Sequence, residues 1–262
     1  MKRIAVILTF LSLLAWTADW LGSVAWAVSI PTLGVPVTED FNTLASTGTS
    51  STVPSGWFFN ETGTNANTIY TAGTGSSNAG DTYSYGSVGN TERAFGMLLS
   101  GSLTPTIGAM FTNDTGASIV ALDILYTGEQ WRLGTSVLHS DRIDFQYSLN
   151  ATSLATGTWS DADALDFTSP VQSGTVGALD GNSPANRTLL SQSITALSIP
   201  PGSMFWIRWL DFNATGADDG LAVDDFSLTG QASNTPVPEP TTMLLLGSGL
   251  VGLAGLRRKF KK

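Results

Sequence analysis

Through the middle of the chain the hydrophobic positions recur at every second residue. From Arg142 to Leu149, Ile143, Phe145, Tyr147 and Leu149 alternate with Arg142, Asp144, Gln146 and Ser148, the pattern of a strand with one buried face and one wet face. Val120, Leu122, Ile124 and Tyr126 share a face in the same way, as do Phe95, Met97 and Leu99, while Phe205, Ile207 and Trp209 oppose Met204, Trp206, Arg208 and Leu210. Between Val28 and Thr235 no helical period is sustained, and Gly, Ser, Thr and Asn cluster at Thr62–Gly80 and Thr168–Asn186, which read as loops. Short strands separated by such loops predict an all-β domain. A β-sandwich of jelly-roll type is the version that best protects so many strand edges. No repeat of about 20 to 50 residues is visible, which argues against a solenoid or propeller.

Two apolar runs break the alternation, one at each end. Lys2 and Arg3 precede Ile4–Trp16, and Ala25-Trp26-Ala27 offers a small-residue cleavage point before Val28, so residues 1–27 read as a signal peptide. Ser23-Val24-Ala25 is an alternative cleavage site. At the other end, Pro238-Glu239-Pro240 is followed by an apolar segment, Thr241–Leu256, and a basic end containing Arg257, Arg258 and Lys259. The segment is shorter than the roughly 20 residues of a stable span and is loosened by Gly247, Gly249, Gly252 and Gly255. It is expected to form a short transmembrane helix, with the cations kept on the cytoplasmic side.

This composite of Pro-Glu-Pro, apolar helix and basic stop resembles the PEP-CTERM sorting signal of Gram-negative bacteria, over residues 236–262 alone. The resemblance implies an exosortase-type membrane protease as partner. It further implies an intermediate anchored in the inner membrane and later delivery to the cell surface or extracellular matrix. The domain organisation is therefore a signal peptide (1–27), a β-sandwich with its terminal linker (28–235) and a sorting tail (236–262).

Charge and composition narrow the function. Between Val28 and Thr235 there is no lysine, and five arginines face nineteen carboxylates, a balance of −14 against −9 for the whole chain. Nucleic acid is thereby excluded as a partner, since phosphate binding needs a cationic stripe. Divalent cations and neutral glycans remain open. The chain has no cysteine and one histidine, His139, which removes Cys-built zinc sites and His-rich metal sites. A lone histidine among strands is expected at the surface or as a cap. No organic cofactor is expected.

A second resemblance runs along most of the body. Glu39-Asp40-Phe41, Pro54-Ser55-Gly56-Trp57, Gly128-Glu129-Gln130-Trp131-Arg132, Phe145-Gln146-Tyr147-Ser148, Trp206-Ile207-Arg208-Trp209 and Val223-Asp224-Asp225-Phe226 together resemble a secreted bacterial β-sandwich domain found beside PEP-CTERM tails. The last of these is also similar to the final strand of MAM-like and carbohydrate-binding jelly rolls. The resemblance implies that the first and last strands are neighbours, bringing Asp40 to Asp224 and Asp225.

Converging carboxylates repel unless a cation lies among them, so these three aspartates are candidate ligands for a structural calcium ion. The alternative is a set of solvated edge charges. Asp211–Gly220 begins like an EF-hand loop, but its twelfth position is Ala222 where a bidentate glutamate is needed. Trp131, with Glu129 and Arg132 beside it, is the candidate for an exposed sugar-binding patch. Asp161, Asp163 and Asp166 read as a solvated cluster, and no carboxylate pair is singled out for glycoside hydrolysis. The expectation is an exported, non-enzymatic protein of the surface or matrix with extracellular polysaccharide as its candidate ligand. The alternatives are a structural or adhesive module and a carbohydrate-active hydrolase.

Overall fold

The computed structural model describes residues 27–233. The expected signal peptide up to residue 26, the motif Pro238-Glu239-Pro240, the apolar helix and the basic stop at Arg257, Arg258 and Lys259 lie outside the described residues. In chain order the strands are β1 (Val28–Ile30), β2 (Val37–Glu39), β3 (Thr49–Ser50), β4 (Trp57–Thr62), β5 (Tyr70–Gly73), β6 (Asp81–Tyr85), β7 (Ala94–Leu98) and β8 (Thr104–Asn113). There follow β9 (Ala121–Leu133), β10 (Arg142–Ser148), β11 (Ser160–Asp161), β12 (Phe167–Thr168), β13 (Gly177–Ala178), β14 (Arg187–Ile194), β15 (Met204–Asp211) and β16 (Gly220–Gln231). A single 3-10 turn, Asp163–Leu165, is the helical element among the described residues.

The strands form two sheets packed as a sandwich. A seven-stranded sheet has the order β1-β8-β15-β10-β11, with β4 on β8 and β12 on β10. A nine-stranded sheet has the order β13-β9-β16-β7-β6-β5-β3, with β14 on β9 and β2 on β16. From β7 onward the longer strands β7, β8, β9, β10, β14, β15 and β16 alternate between the two sheets, which is jelly-roll winding. The all-β sandwich expected from the alternation is the fold observed.

Alternation also locates the core. Ile143 and Phe145 of β10, Phe205, Ile207 and Trp209 of β15 and Leu122, Ile124 and Tyr126 of β9 are all fully buried in one cluster between the sheets. Trp209 is its centre: Trp57 stacks on it at 6.1 Å, while Tyr126 and Phe145 meet it edge-on, each at 5.2 Å. Leu149, expected to continue the buried face, lies just past the end of β10 and is 43% exposed. The Ser148 hydroxyl accepts the amides of Asn150 and Ala151, so the chain turns there and the alternation stops one residue early.

Both expected loops contain strands. Within Thr62–Gly80 lies β5, anchored by the fully buried Tyr70, whose hydroxyl donates to Thr52 O at 2.8 Å and accepts from Ala45 N at 2.9 Å. Within Thr168–Asn186 lies the short β13, paired to the end of β9. Among the described residues no helix is long and apolar enough to cross a membrane.

Candidate functional site

The last strand does not pair with the first, since β1 pairs with β8 in the other sheet, but it does pair with the next early strand. β2 pairs antiparallel with β16, with Glu39 opposite Phe226 and Val37 opposite Leu228. The register of β16 against β9 slips between Asp224 and Ser227, and Asp225 within that bulge has φ of 48°. The bulge separates the two aspartates. Asp225 is exposed and lines a cleft with Thr38, Glu39, Asp40, Phe226 and Ser227, whereas Asp224, whose Oδ1 accepts the Asp225 amide at 2.7 Å, is buried. Of the three expected calcium ligands, the structure therefore places Asp40 and Asp225 in one cleft and Asp224 in a different site. Asp40 uses Oδ1 to accept the Asn42 amide at 3.1 Å.

Asp224 joins Glu92 and Glu129 instead. Gly128 faces the core, because a Cβ there would lie 2.2 Å from Cγ of the buried Phe167, so Glu129 and Trp131 on alternate positions face outward. Ala222 and Asp224 share that outer face. Glu92, Glu129 and Asp224 each offer a carboxylate oxygen within 4.8 Å of the others. Glu129 accepts the Trp131 indole Nε1–H at 2.9 Å through Oε2, and Glu92 accepts Asn182 Nδ2 through Oε2. Oε1 of Glu129 and Oε1 of Glu92 are buried without a partner among the described residues. Burial, followed by the charge of Glu129, pushes the Asp224 carboxyl up to about 9, and burial pushes Glu129 to about 7.

The expected sugar-binding patch is covered. Trp131 is 1% exposed, stacked on Tyr85 at 6.0 Å in a small outer cluster with Tyr83, Ala94, Leu98 and Ala222. The chain around Gly181 closes over the indole, for a Cβ on Gly181 would lie 2.3 Å from Nε1. Arg132 is also buried and donates to the carbonyls of Gly75 and Ser76, each at 3.1 Å. Trp131 was a candidate for its neighbours Glu129 and Arg132 in the sequence, which carries no sign of a loop folded over that face.

A second acidic group closes one end of the sandwich. His139, Asp141 and Asp219 bring ligand atoms within 4.8 Å of one another. Here the oxygens have partners. Asp219 Oδ1 accepts Gly134 N at 2.7 Å and lies 3.2 Å from His139 Nε2, and its Oδ2 accepts Gln130 Nε2 at 2.8 Å. Asp141 accepts the amides of Arg142 at 2.7 Å and Asp219 at 2.6 Å. His139, expected at the surface or as a cap, is thus buried and held against Asp219. In the EF-hand-like segment, Asp211 turns inward while Asn213 and Thr215 are exposed, so its alternate positions do not converge on an ion.

The open chemistry lies on the outer face of the seven-stranded sheet. A cleft of about 590 Å³ there is lined by Arg142, Asp144, Gln146, Asp161, Asp163, Asp166 and Thr168. Arg208 of β15, opposite Gln146 in register, donates to Gln146 Oε1 from Nε at 2.9 Å and from Nη2 at 2.6 Å. Its guanidinium lies 3.8 Å over the ring of the partly exposed Trp159, a stacked cation–π contact. Gln146 Nε2 in turn donates to Asp161 Oδ1 at 2.6 Å. The sequence signal for this group was the polar half of the alternation in β10, which marks a wet face without saying what it does; on β15 the matching positions, Met204, Trp206, Arg208 and Leu210, carry one polar residue.

The fold defines an all-β sandwich, and the chain carries at residues 236–259 a match to the PEP-CTERM protein-sorting motif. That motif implies export, a membrane-anchored intermediate and exosortase processing. No curated protein matches the chain. Among solved structures it is similar to a cleaved adhesin domain of Lys-gingipain from Porphyromonas gingivalis, with 12% identity, TM-score 0.43 and coverage of 74% of this chain and 98% of that one. A family 35 carbohydrate binding module from Clostridium thermocellum is similar at 10% identity and TM-score 0.32, over 76% of this chain and 99% of that one. The enzymatically active domain of tailspike protein 4 of bacteriophage CBA120 matches at 10% identity and TM-score 0.35, over 67% of this chain; the chain spans 19% of that protein's length.

Proposed function

We propose that this is an exported, non-enzymatic surface or matrix protein that holds extracellular polysaccharide on the outer face of its seven-stranded sheet. The observation that carries the reading is the partly exposed pair Gln146 and Arg208 on the paired strands β10 and β15, with Asp161 of β11 hydrogen-bonded to Gln146 and the Trp159 ring stacked on Arg208. A sugar ring offers apolar C–H faces and a rim of hydroxyls. It is matched by an aromatic edge beside fixed donors and acceptors, held on rigid elements.

Three of the four aspartates of the cleft, all but Asp163, are committed to holding the structure. Asp166 Oδ1 accepts the Phe145 amide at 2.8 Å, Asp161 is tied to Gln146, and Asp144 pairs with Arg142. Carboxylates occupied in this way support binding over glycoside hydrolysis, which needs one free acid and one free base or nucleophile.

Glycan-array binding followed by affinity electrophoresis tests the reading. Wild type is expected to bind at least one acidic or neutral exopolysaccharide, and Trp159→Ala to weaken that binding by about tenfold or more, as expected for loss of an aromatic anchor. Equal binding by the variant would remove the face from consideration, absence of all glycan binding would favour a structural or adhesive role, and release of reducing ends would show an enzyme.

A further inference from the structure

Three carboxylates from separate segments converge beneath the turn at Asp180–Asn186: Glu92 just before β7, Glu129 in the middle of β9 and Asp224 at the bulge of β16. Their ligand oxygens lie within 4.8 Å of one another. Two oxygens on opposite sides of a calcium ion, each at about 2.4 Å, span about that distance. The second observation is independent of the clustering. Glu129 is 0% exposed, and its Oε1 has no hydrogen-bond partner among the described residues, nor has Oε1 of Glu92. A buried carboxylate oxygen left without a donor is costly, and native folds leave few of them.

Protein cations do not fill the gap. None of the three carboxylates makes an ion pair among the described residues. Arg187 lies opposite Glu129 in the β14 register but is exposed and makes no ion pair with it. The same face already holds one donor for the group, the Trp131 indole, which fixes Glu129 through its other oxygen at 2.9 Å. Such an outer contact orients a metal-binding carboxylate. The donor set is all oxygen, with no imidazole or thiolate, which selects a hard cation over zinc. Irregular carboxylates on three different segments suit calcium, with its six to eight flexible ligands, better than the strict octahedron of magnesium. Glu92 is half-buried and leaves a way in from solvent.

We propose that Glu92, Glu129 and Asp224 bind one calcium ion, with Trp131 as the residue that positions Glu129. The ion ties β9, β16 and the approach to β7 together on the outer face of the nine-stranded sheet. The site is independent of the polysaccharide face, which belongs to the other sheet. It is also distinct from the cleft of Asp40 and Asp225.

The test uses the full-length chain purified in mild detergent, melted in EDTA and in calcium, with elemental analysis of protein prepared without chelator. Calcium at about a hundred times its dissociation constant is expected to raise the melting temperature by about 5 to 11 °C. Glu129→Gln, which keeps the shape and the Trp131 contact, is expected to abolish most of that rise, as is Asp224→Asn, whereas Asp40→Asn leaves it intact. Trp131→Phe is expected to weaken calcium binding by about 10- to 100-fold, the usual effect of losing an outer-shell partner. Terbium supplies a readout that does not depend on the melts: bound at this site it is sensitised by Trp131, so its emission on indole excitation is lost in Glu129→Gln and quenched by calcium in wild type. Coincident melts with no bound calcium would mean that shared protons hold the cluster, and would overturn the proposal. A rise lost in Asp40→Asn but kept in Glu129→Gln, or terbium emission unchanged by Glu129→Gln, would overturn it equally.

Discussion

Asp211 ends β15 with its carboxyl turned into the sandwich, and neither oxygen has a hydrogen-bond partner among the described residues. Burial first, then the charges of Asp141 and Asp218, pushes its carboxyl well above the ordinary range, and burial pushes Asp141 up to about 7. The charged and titratable groups around them are His139, Asp218, Asp219, Tyr85 and Arg132. A carboxyl raised in the native state binds more protons folded than unfolded, so its stabilising contribution is complete below the unfolded value and is lost as pH rises through the folded one. In EDTA the melting temperature is therefore expected to fall from pH 5 to pH 8, and Asp211→Asn to flatten the decline. A melting temperature that rises over this range would contradict the assignment. None of this was legible from the residues alone. Asp211 reads as a solvated loop ligand and His139 as a surface or capping residue, because what buries them is the meeting of two sheets far apart in sequence.

At the scale of elements, β9 shows what alternation can and cannot carry. Leu122, Ile124 and Tyr126 mark its core face plainly, and the same face continues through Gly128, where the pattern looks interrupted. The interruption is a fit to a neighbour. Gly128 has the ring of Phe167 packed against it, and Phe167 is fully buried with no room to withdraw. Gly128→Ala is expected to destabilise the fold by about 1–3 kcal/mol through overpacking, read as a lower urea midpoint with an unchanged m-value. An unchanged midpoint would mean that the two sheets pack less closely there. Strands β10 and β15 were legible because each carries three or more alternations; β5 was not, because Tyr70 is its one strong core residue and Gly73 ends it. That the segments of Glu39-Asp40-Phe41 and Val223-Asp224-Asp225-Phe226 are neighbours was implied by the resemblance they carry, although the partner of β16 is β2 and not the first strand. The bulge that sends Asp224 and Asp225 to different sites depends on one residue with positive φ, which no spacing announces.

At the scale of the whole molecule, an acidic sandwich without lysine or cysteine lies between two basic, apolar ends. Its fold relies on the core around Trp209 and not on disulfides, consistent with a domain of this size. Its acidic surface suits cations and hydroxylated polymers better than phosphates. The address was the most legible part of all, because Pro-Glu-Pro, an apolar run and a basic stop are contiguous and need no fold to be read; the proposed polysaccharide face was the least legible, because it is assembled from β10, β15 and the Trp159 loop. The central claim is that the tail directs export of the sandwich through a membrane-anchored intermediate, and fractionation of cells producing the chain with and without residues 236–262 tests it most directly. The full-length chain is expected first in the inner membrane and then, shortened at its C-terminus, at the cell surface or in the matrix, while the truncated chain bypasses the membrane intermediate and fails to reach the surface. A full-length chain that stays in the cytosol, or a distribution unchanged by removal of the tail, would contradict the account.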